Sequence, residues 1–350
     1  MHLMHINMAS RKMPWILIGS ISLLGLAVHG YEYVKGPVLV EEIAPCPGLY
    51  CGRTRLNKTH NSACGQCPRG WKVSNNTHSL CRECLEQPSL YDWFFLAFHF
   101  LLVLSLHWYF IDASAKRLKF TKEVILLHFC ALIEVVLSAI LTVLITVPSG
   151  RLALHSCRVT RLSDWYSFFH NPNPNYEETL HCTQEVVYPL YSLVFVFYVL
   201  CGLTMLVIRP GLAARIYPRR GQAAVYDALY FLPILALIHG LGSGLVYMAY
   251  PYIVLTLSLV SCASHFAFKL DQSMRSLLKG CFTDQRNLII LIGHWALHAF
   301  GILAITQLTH LEFHLSLLTL IPLPALFYVI TARFTDPVNF KSDFQPSMAH

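Results

Sequence analysis

Apolar residues run in long blocks along this chain, and polar residues gather between them. Seven blocks approach or exceed the roughly 20 apolar residues that a helix needs to cross a hydrocarbon core. They are Tyr91–Ile111, Glu123–Val147, Val186–Ile208, Val225–Leu241, Leu245–Phe268, Leu288–Thr306 and Leu315–Ala332. A shorter block, Trp15–Val28, follows Arg11 and Lys12. That is the order of a basic n-region and apolar h-region in a secretory signal. Residues 1–30 are thus expected to form a cleaved signal peptide, with an uncleaved signal anchor as the alternative. The pattern predicts an all-α fold: a polytopic membrane helix bundle of seven spans over residues 91–332.

Between the fourth and fifth blocks, Gly240-Leu-Gly-Ser-Gly244 leaves almost no loop, so a tight lumenal hairpin is expected there. Pro233, Pro251, Pro322 and Pro324 should kink their spans or mark their ends. Composition agrees with a membrane protein. Of 350 residues, 55% are apolar and only 13% charged, against about 25% charged in an average soluble domain. Mean hydropathy is +0.49. These values exclude a disordered chain, a coiled coil and an ordinary cytosolic enzyme.

The net charge of +7 would suit nucleic acid, but the basic residues sit in short loops between apolar blocks. On one side fall Lys116, Arg117, Lys119, Lys122, Arg209, Arg215, Arg219, Arg220, Lys269, Arg275, Lys279, Arg286, Arg333 and Lys341. On the other fall only Arg151, Arg158 and Arg161. The positive-inside rule then makes the tail, residues 333–350, cytosolic. With seven spans, residues 31–90 and the loop 148–185 are lumenal.

Six of the twelve cysteines lie in that first lumenal stretch: Cys46, Cys51, Cys64, Cys67, Cys81 and Cys84. The Cys64-x-x-Cys67 and Cys81-x-x-Cys84 spacing would suit a zinc ribbon in the cytosol. Exported thiols meet an oxidising lumen, which favours a small disulfide-rich module instead. Six cysteines allow 15 pairings, and spacing does not choose among them. Two glycosylation sequons, at Asn57 and Asn75, accompany them. In the second lumenal loop, Cys157 and Cys182 flank an aromatic, proline-rich stretch and are expected to bridge each other. Cys130, Cys201 and Cys262 read as small apolar fillers. Cys281, in a basic loop, is a candidate for palmitoylation only by position.

Ionisable groups inside spans are candidate functional sites. Glu134 lies mid-span, and His294 and His298, four apart, share a helix face. With Glu134 or His128 they are the alternative reading: the ligand set of an intramembrane metal-dependent hydrolase. The competing expectation for Glu134 is a protonated side chain, or one paired with a polar group on a neighbouring span. Phosphate-binding loops and nucleophile elbows are absent from the sequence. A seven-span receptor is a further alternative, without the D-R-Y triplet and the N-P-x-x-Y motif of that class. No catalytic residue and no cofactor is expected.

Several stretches closely resemble the Jun-kinase-associated membrane protein family. They are Cys46–Arg53 (CPGLYCGR), Cys64–Gly70 (CGQCPRG), Leu90–Phe94 (LYDWF), Ser156–Thr160 (SCRVT) and Ser163–Ser167 (SDWYS). His181–Ser192 (HCTQEVVYPLYS), Gly293–Phe300 (GHWALHAF) and Pro324–Val338 (PALFYVITARFTDPV) complete the likeness. The resemblance implies a seven-span, multi-pass protein of the endoplasmic reticulum membrane that is not an enzyme. It implies an adaptor that recruits proteasome and ubiquitin-ligase components to degrade misfolded proteins, and that modulates Jun N-terminal kinase stress signalling. The implied partners are that kinase, ubiquitin ligases and the proteasome, beside the lipid bilayer and with no nucleic acid. For the kinase, the candidate docking segment pairs basic Lys116 and Arg117 with apolar Leu118 and Phe120. A basic loop there is also what the positive-inside rule demands. The other cytosolic candidates are Arg215–Gly221 and Phe334–Lys341.

Overall fold

In an extended chain apolar side chains can pack only if backbone polar groups are paired, so long apolar blocks become helices in a membrane. The computed structural model describes residues 44–57, 60–74, 78–115, 122–167, 182, 187–216, 221–269 and 271–335. It is mostly helical, with a small β-rich head at residues 44–89. In the head, β1 (Cys51–Gly52) pairs antiparallel with β2 (Gly65–Gln66), and β3 (Trp71–Val73) with β4 (Cys81–Glu83).

The helices follow. α1 is Leu90–Ala115 and α2 is Lys122–Ile145. A short α3, Leu162–Trp165, sits in the loop before α4, Leu190–Ile216. α5 is Gly221–Ala267, α6 Met274–Thr283 and α7 Gln285–Thr306. The last apolar block breaks into α8 (Leu311–Leu317), a 3-10 turn (Leu318–Leu320) and α9 (Leu323–Thr335). Pro322 ends that turn, since it has no N–H to continue a helix.

α1 begins where its sequence signals a start. Ser89 is the cap: its hydroxyl accepts from Asp92 N–H (3.2 Å), and its own N–H donates to Asp92 Oδ2 (2.8 Å). Such a reciprocal box satisfies two otherwise orphaned donors. Long exposed apolar side chains such as Val207, Tyr230, Leu241 and Phe327 are 70–79% accessible. A helix apolar all round suits a membrane rather than water.

Six helical segments among the described residues are long and apolar enough to cross a membrane. The expected count was seven. The difference lies in α5, where the two expected blocks, Val225–Leu241 and Leu245–Phe268, form one helix of 47 residues. The expected hairpin loop at Gly240–Gly244 is absent. Glycine weakens a helix by only about 1 kcal/mol per residue. In an apolar setting an unpaired backbone group costs several, so the ladder continues. The apolar part, Ala228–Ala267, has 40 residues. At 1.5 Å per residue it is about 60 Å long, twice a roughly 30 Å core.

This helix is not straight. A straight one would hold His239 and Tyr250 about 16 Å apart along its axis. Both lie against the single ring of Phe95, at 6.4 and 5.8 Å, with Tyr247 between them at 5.0 Å. Along α1, Phe231 meets Phe110 and His239 meets His99, yet Tyr250 returns to Phe98 at 5.7 Å, so the axis bends between residues 239 and 250, the stretch that holds the glycines. There the carbonyls of Gly240 and Leu241 accept from the hydroxyls of Tyr191 (3.3 Å) and Tyr166 (3.2 Å). Side donors of this kind accompany helix kinks. The first half packs on α1 and α4 around Phe95, Tyr198, Met205 and Phe231. The second half runs antiparallel to α7, with Ser258 opposite His294 and Lys269 opposite Asn287. A second apolar cluster joins Cys262, Phe266, Leu277, Leu291 and Val329.

Candidate functional site

A carboxylate inside a bundle must find a partner or stay neutral. Glu134, on α2, finds Arg209, on α4, and both side chains are fully buried. Arg209 Nε donates to Glu134 Oε1 (3.3 Å), and Nη2 donates to Oε2. Nη1 lies 3.3 Å from His107 Nδ1 on α1. The Cys130 thiol donates to Glu134 Oε1 (3.2 Å). Beside this pair the hydroxyls of Ser138 and Thr204 meet across α2 and α4 at 2.8 Å. Three helices are thus tied at one polar centre. The sequence grouped Arg209 with a cytosolic loop; it is instead a bundle residue. It escaped notice because Leu203–Ile208 precede it and Pro210 follows, which reads as a span ending.

The alternative metal set is not assembled. Glu134 is engaged by Arg209, whereas His294 and His298 on α7 face Ser258. The Ser258 hydroxyl donates to the His294 carbonyl (3.2 Å) and lies 3.3 Å from His298 Nδ1. His128 lies 2.7 Å from the Val124 carbonyl and 3.2 Å from Asp112. Among the described residues no group of three His, Cys, Asp or Glu side chains is placed to hold a metal ion. His99 and His239 sit edge to face at 5.2 Å, held by the Tyr198 hydroxyl (2.7 Å) and the Tyr191 carbonyl (3.0 Å).

The second constellation joins the head to the loop. Cys46–Cys64 and Cys67–Cys81 close within the head. Cys51–Cys182 and Cys84–Cys157 tie it to the loop that runs from α2 to α4. The expected Cys157–Cys182 bridge is therefore wrong. Cys51 opens β1 and Cys84 directly follows β4, both buried, and each is paired with a loop cysteine. The zinc-ribbon alternative also fails, since all four cysteines are in disulfides: Cys67 with Cys81, Cys64 with Cys46 and Cys84 with Cys157. Gly52 fits because a Cβ there would meet Cys81 Sγ at 2.8 Å and Cys67 Sγ at 2.9 Å.

Polar contacts reinforce the seam. Lys72 donates to the Cys157 carbonyl (3.3 Å), Arg158 pairs with Glu86 (3.1 Å), and the Arg69 guanidinium lies over Tyr188. Tyr50 donates to Asp164 (3.1 Å), which also accepts from Arg161 N–H at the start of α3. Burial, the main cause, raises the Tyr50 phenol above its usual pKa. α3 then delivers Trp165 onto Tyr247 at 5.0 Å. Tyr247 donates to Asp92 Oδ1 (2.6 Å), so the capping carboxylate of α1 ends a relay from the head into the bundle. Sequence reasoning missed Asp92 and Tyr247; the only signal was Ser89-x-x-Asp92 ahead of an apolar run. Asn57 is exposed. Asn75 and the docking candidates Lys116, Arg117, Leu118 and Phe120 lie outside the described residues.

Comparison with known proteins adds a family. The family model described as JNK1/MAPK8-associated membrane protein matches residues 46–337. The mouse protein of that name is 44% identical over 307 residues, covering 85% of this chain and 96% of the relative. Its human counterpart is 43% identical over the same shares. A Caenorhabditis elegans homolog is 32% identical over 306 residues, 83% of this chain and 93% of its own. No solved structure matches.

Proposed function

The chain belongs to the JNK1/MAPK8-associated membrane protein family, and from that premise we propose that it is a non-enzymatic adaptor. In this reading it sits in the endoplasmic reticulum membrane and brings a Jun N-terminal kinase, ubiquitin ligases and proteasomes to the cytosolic face. The observation that carries it is a family match spanning head, loop and bundle together. The polar centre supports it, because Glu134 and Arg209 neutralise each other and leave the bundle a scaffold.

Seven crossings complete the proposal, with α5 crossing twice and its glycine bend on the head's side. Twice the bilayer thickness of apolar helix supports this, as does the bend itself. So does charge: with Arg209 removed from the loop count, 13 of the basic residues counted above still fall on one face against three on the other. The head is then lumenal and the tail cytosolic, with Lys116–Phe120 among the kinase-facing segments. The test is clearance of a misfolded lumenal client. Depleting the protein should lengthen the client's lifetime, and re-expression should restore it. Unchanged clearance, or stoichiometric zinc lost on changing His294 and His298 to Ala, would overturn the adaptor reading.

A further inference from the structure

α6 has a division of faces that neither the bundle nor the family role uses. Its inner face, Leu277 and Cys281, is buried against Cys262, Phe266, Leu291 and Val329. At 100° per residue the next sector holds Met274, Leu278 and Phe282, four apart, and these are 53, 48 and 68% exposed. Beyond that stripe, on the side away from the protein, stand exposed Arg275 and Lys279. The polar sector, Ser276 and Thr283, follows. Going round the helix, one thus meets protein, exposed apolar stripe, basic flank and polar back.

Its tether fixes where this face lies. One residue, Asp284, separates α6 from α7, and six separate it from α5, both long apolar helices. α6 therefore sits where spans leave the hydrocarbon. Ser273 caps it, accepting from Ser276 N–H (3.3 Å), and Asp271 accepts from Ser273 N–H (2.9 Å), so it is an ordered helix with its own start. A short helix with a sided apolar stripe and flanking Lys or Arg is the pattern of an interfacial helix.

We propose that α6 lies in the membrane surface, with Met274, Leu278 and Phe282 among the acyl chains and Arg275 and Lys279 on the phosphates of anionic phospholipids. Charge complementarity selects this occupant, since each basic residue near an anionic surface favours association roughly fivefold. Stems of Arg and Lys run along apolar surface while their heads reach phosphate. Asp271 lies two residues before the Ser273 cap and Asp284 is the C-cap residue, so both acids lie outside the stripe.

The test uses the full-length protein in nanodiscs carrying a Phe282→Trp substitution, with the parent's tryptophan emission subtracted. Brominated phosphatidylserine should quench the new signal several-fold more than brominated phosphatidylcholine at equal content. The change Arg275→Glu with Lys279→Glu should remove that preference while leaving quenching by both lipids. Thr283→Trp, on the polar back, should respond to aqueous iodide instead. If Phe282→Trp fails to fold, Leu278→Trp reads the same stripe. Iodide quenching of the stripe without bromolipid quenching would overturn the proposal and leave the face to a protein partner. Equal quenching by the two lipids would overturn its anionic selectivity.

Discussion

Replacing Arg209 with Met tests whether the polar centre holds three helices together. The change keeps an unbranched stem but is shorter by the guanidinium, and it leaves Glu134, fully buried, with only the Cys130 thiol donating to its carboxylate among the contacts described above. At 3.3 Å, the Coulomb attraction lost is about 5 kcal/mol with an effective dielectric constant near 20. Breaking a buried pair by deleting one partner costs about 3–5 kcal/mol in measured cases, so the lower figure is the safer expectation. Glu134→Gln should cost a similar amount, because it removes the carboxylate to which the buried guanidinium donates. Either loss is a large share of the roughly 5–15 kcal/mol that stabilises a typical protein. The double variant is the discriminating one. With both charges gone, the centre is an amide and a thioether, and replacing a buried pair whole is often neutral. Unfolding by SDS in mixed micelles should give a coupling energy of about 2 kcal/mol or more between the sites. Additive losses, or singles within about 0.5 kcal/mol of the parent, would refute the role given to this pair.

Other expectations follow from the seam and the bend. Non-reducing peptide mapping should recover Cys51–Cys182 and Cys84–Cys157, and a Cys157–Cys182 peptide would contradict the fold. These bridges span 131 and 73 residues, worth about 5 and about 4 kcal/mol in the chain-entropy model. Gly244→Ala should destabilise by about 1–3 kcal/mol, since a Cβ there meets Trp165 Cβ at 2.5 Å; an unchanged melting curve would argue against that packing. Asn57 and Asn75 should carry glycans, and protease should reach a tag after His350 in intact microsomes; a protected tag would reverse the proposed orientation.

Much of this architecture is written in residue order. The apolar blocks marked the helices, and Pro322 marked a break, because desolvation and missing donors act locally. What escaped is non-local. Two loop cysteines looked like each other's partners, yet each pairs with a head cysteine far away in the chain, Cys182 with Cys51 and Cys157 with Cys84. Arg209 counted as loop charge because its partner lies 75 positions earlier. Gly240–Gly244 read as a turn, yet in an apolar setting helical hydrogen bonds outweigh glycine's flexibility, and the chain bends without leaving the helix. The Glu134–His294–His298 set failed for a similar reason: periodicity shows which residues share one helix face, not which faces meet.

The adaptor claim itself turns on partners, so the direct measurement is quantitative affinity purification. Full-length protein should be captured in mild detergent from cells under endoplasmic reticulum stress. Jun N-terminal kinase, a ubiquitin ligase and proteasome subunits should be recovered well above a membrane control of matched abundance. Their recovery should fall when cytosolic segments such as Leu118 and Phe120 or the tail beyond Thr335 are altered with the head intact. Recovery of none of the three above that control would contradict the account.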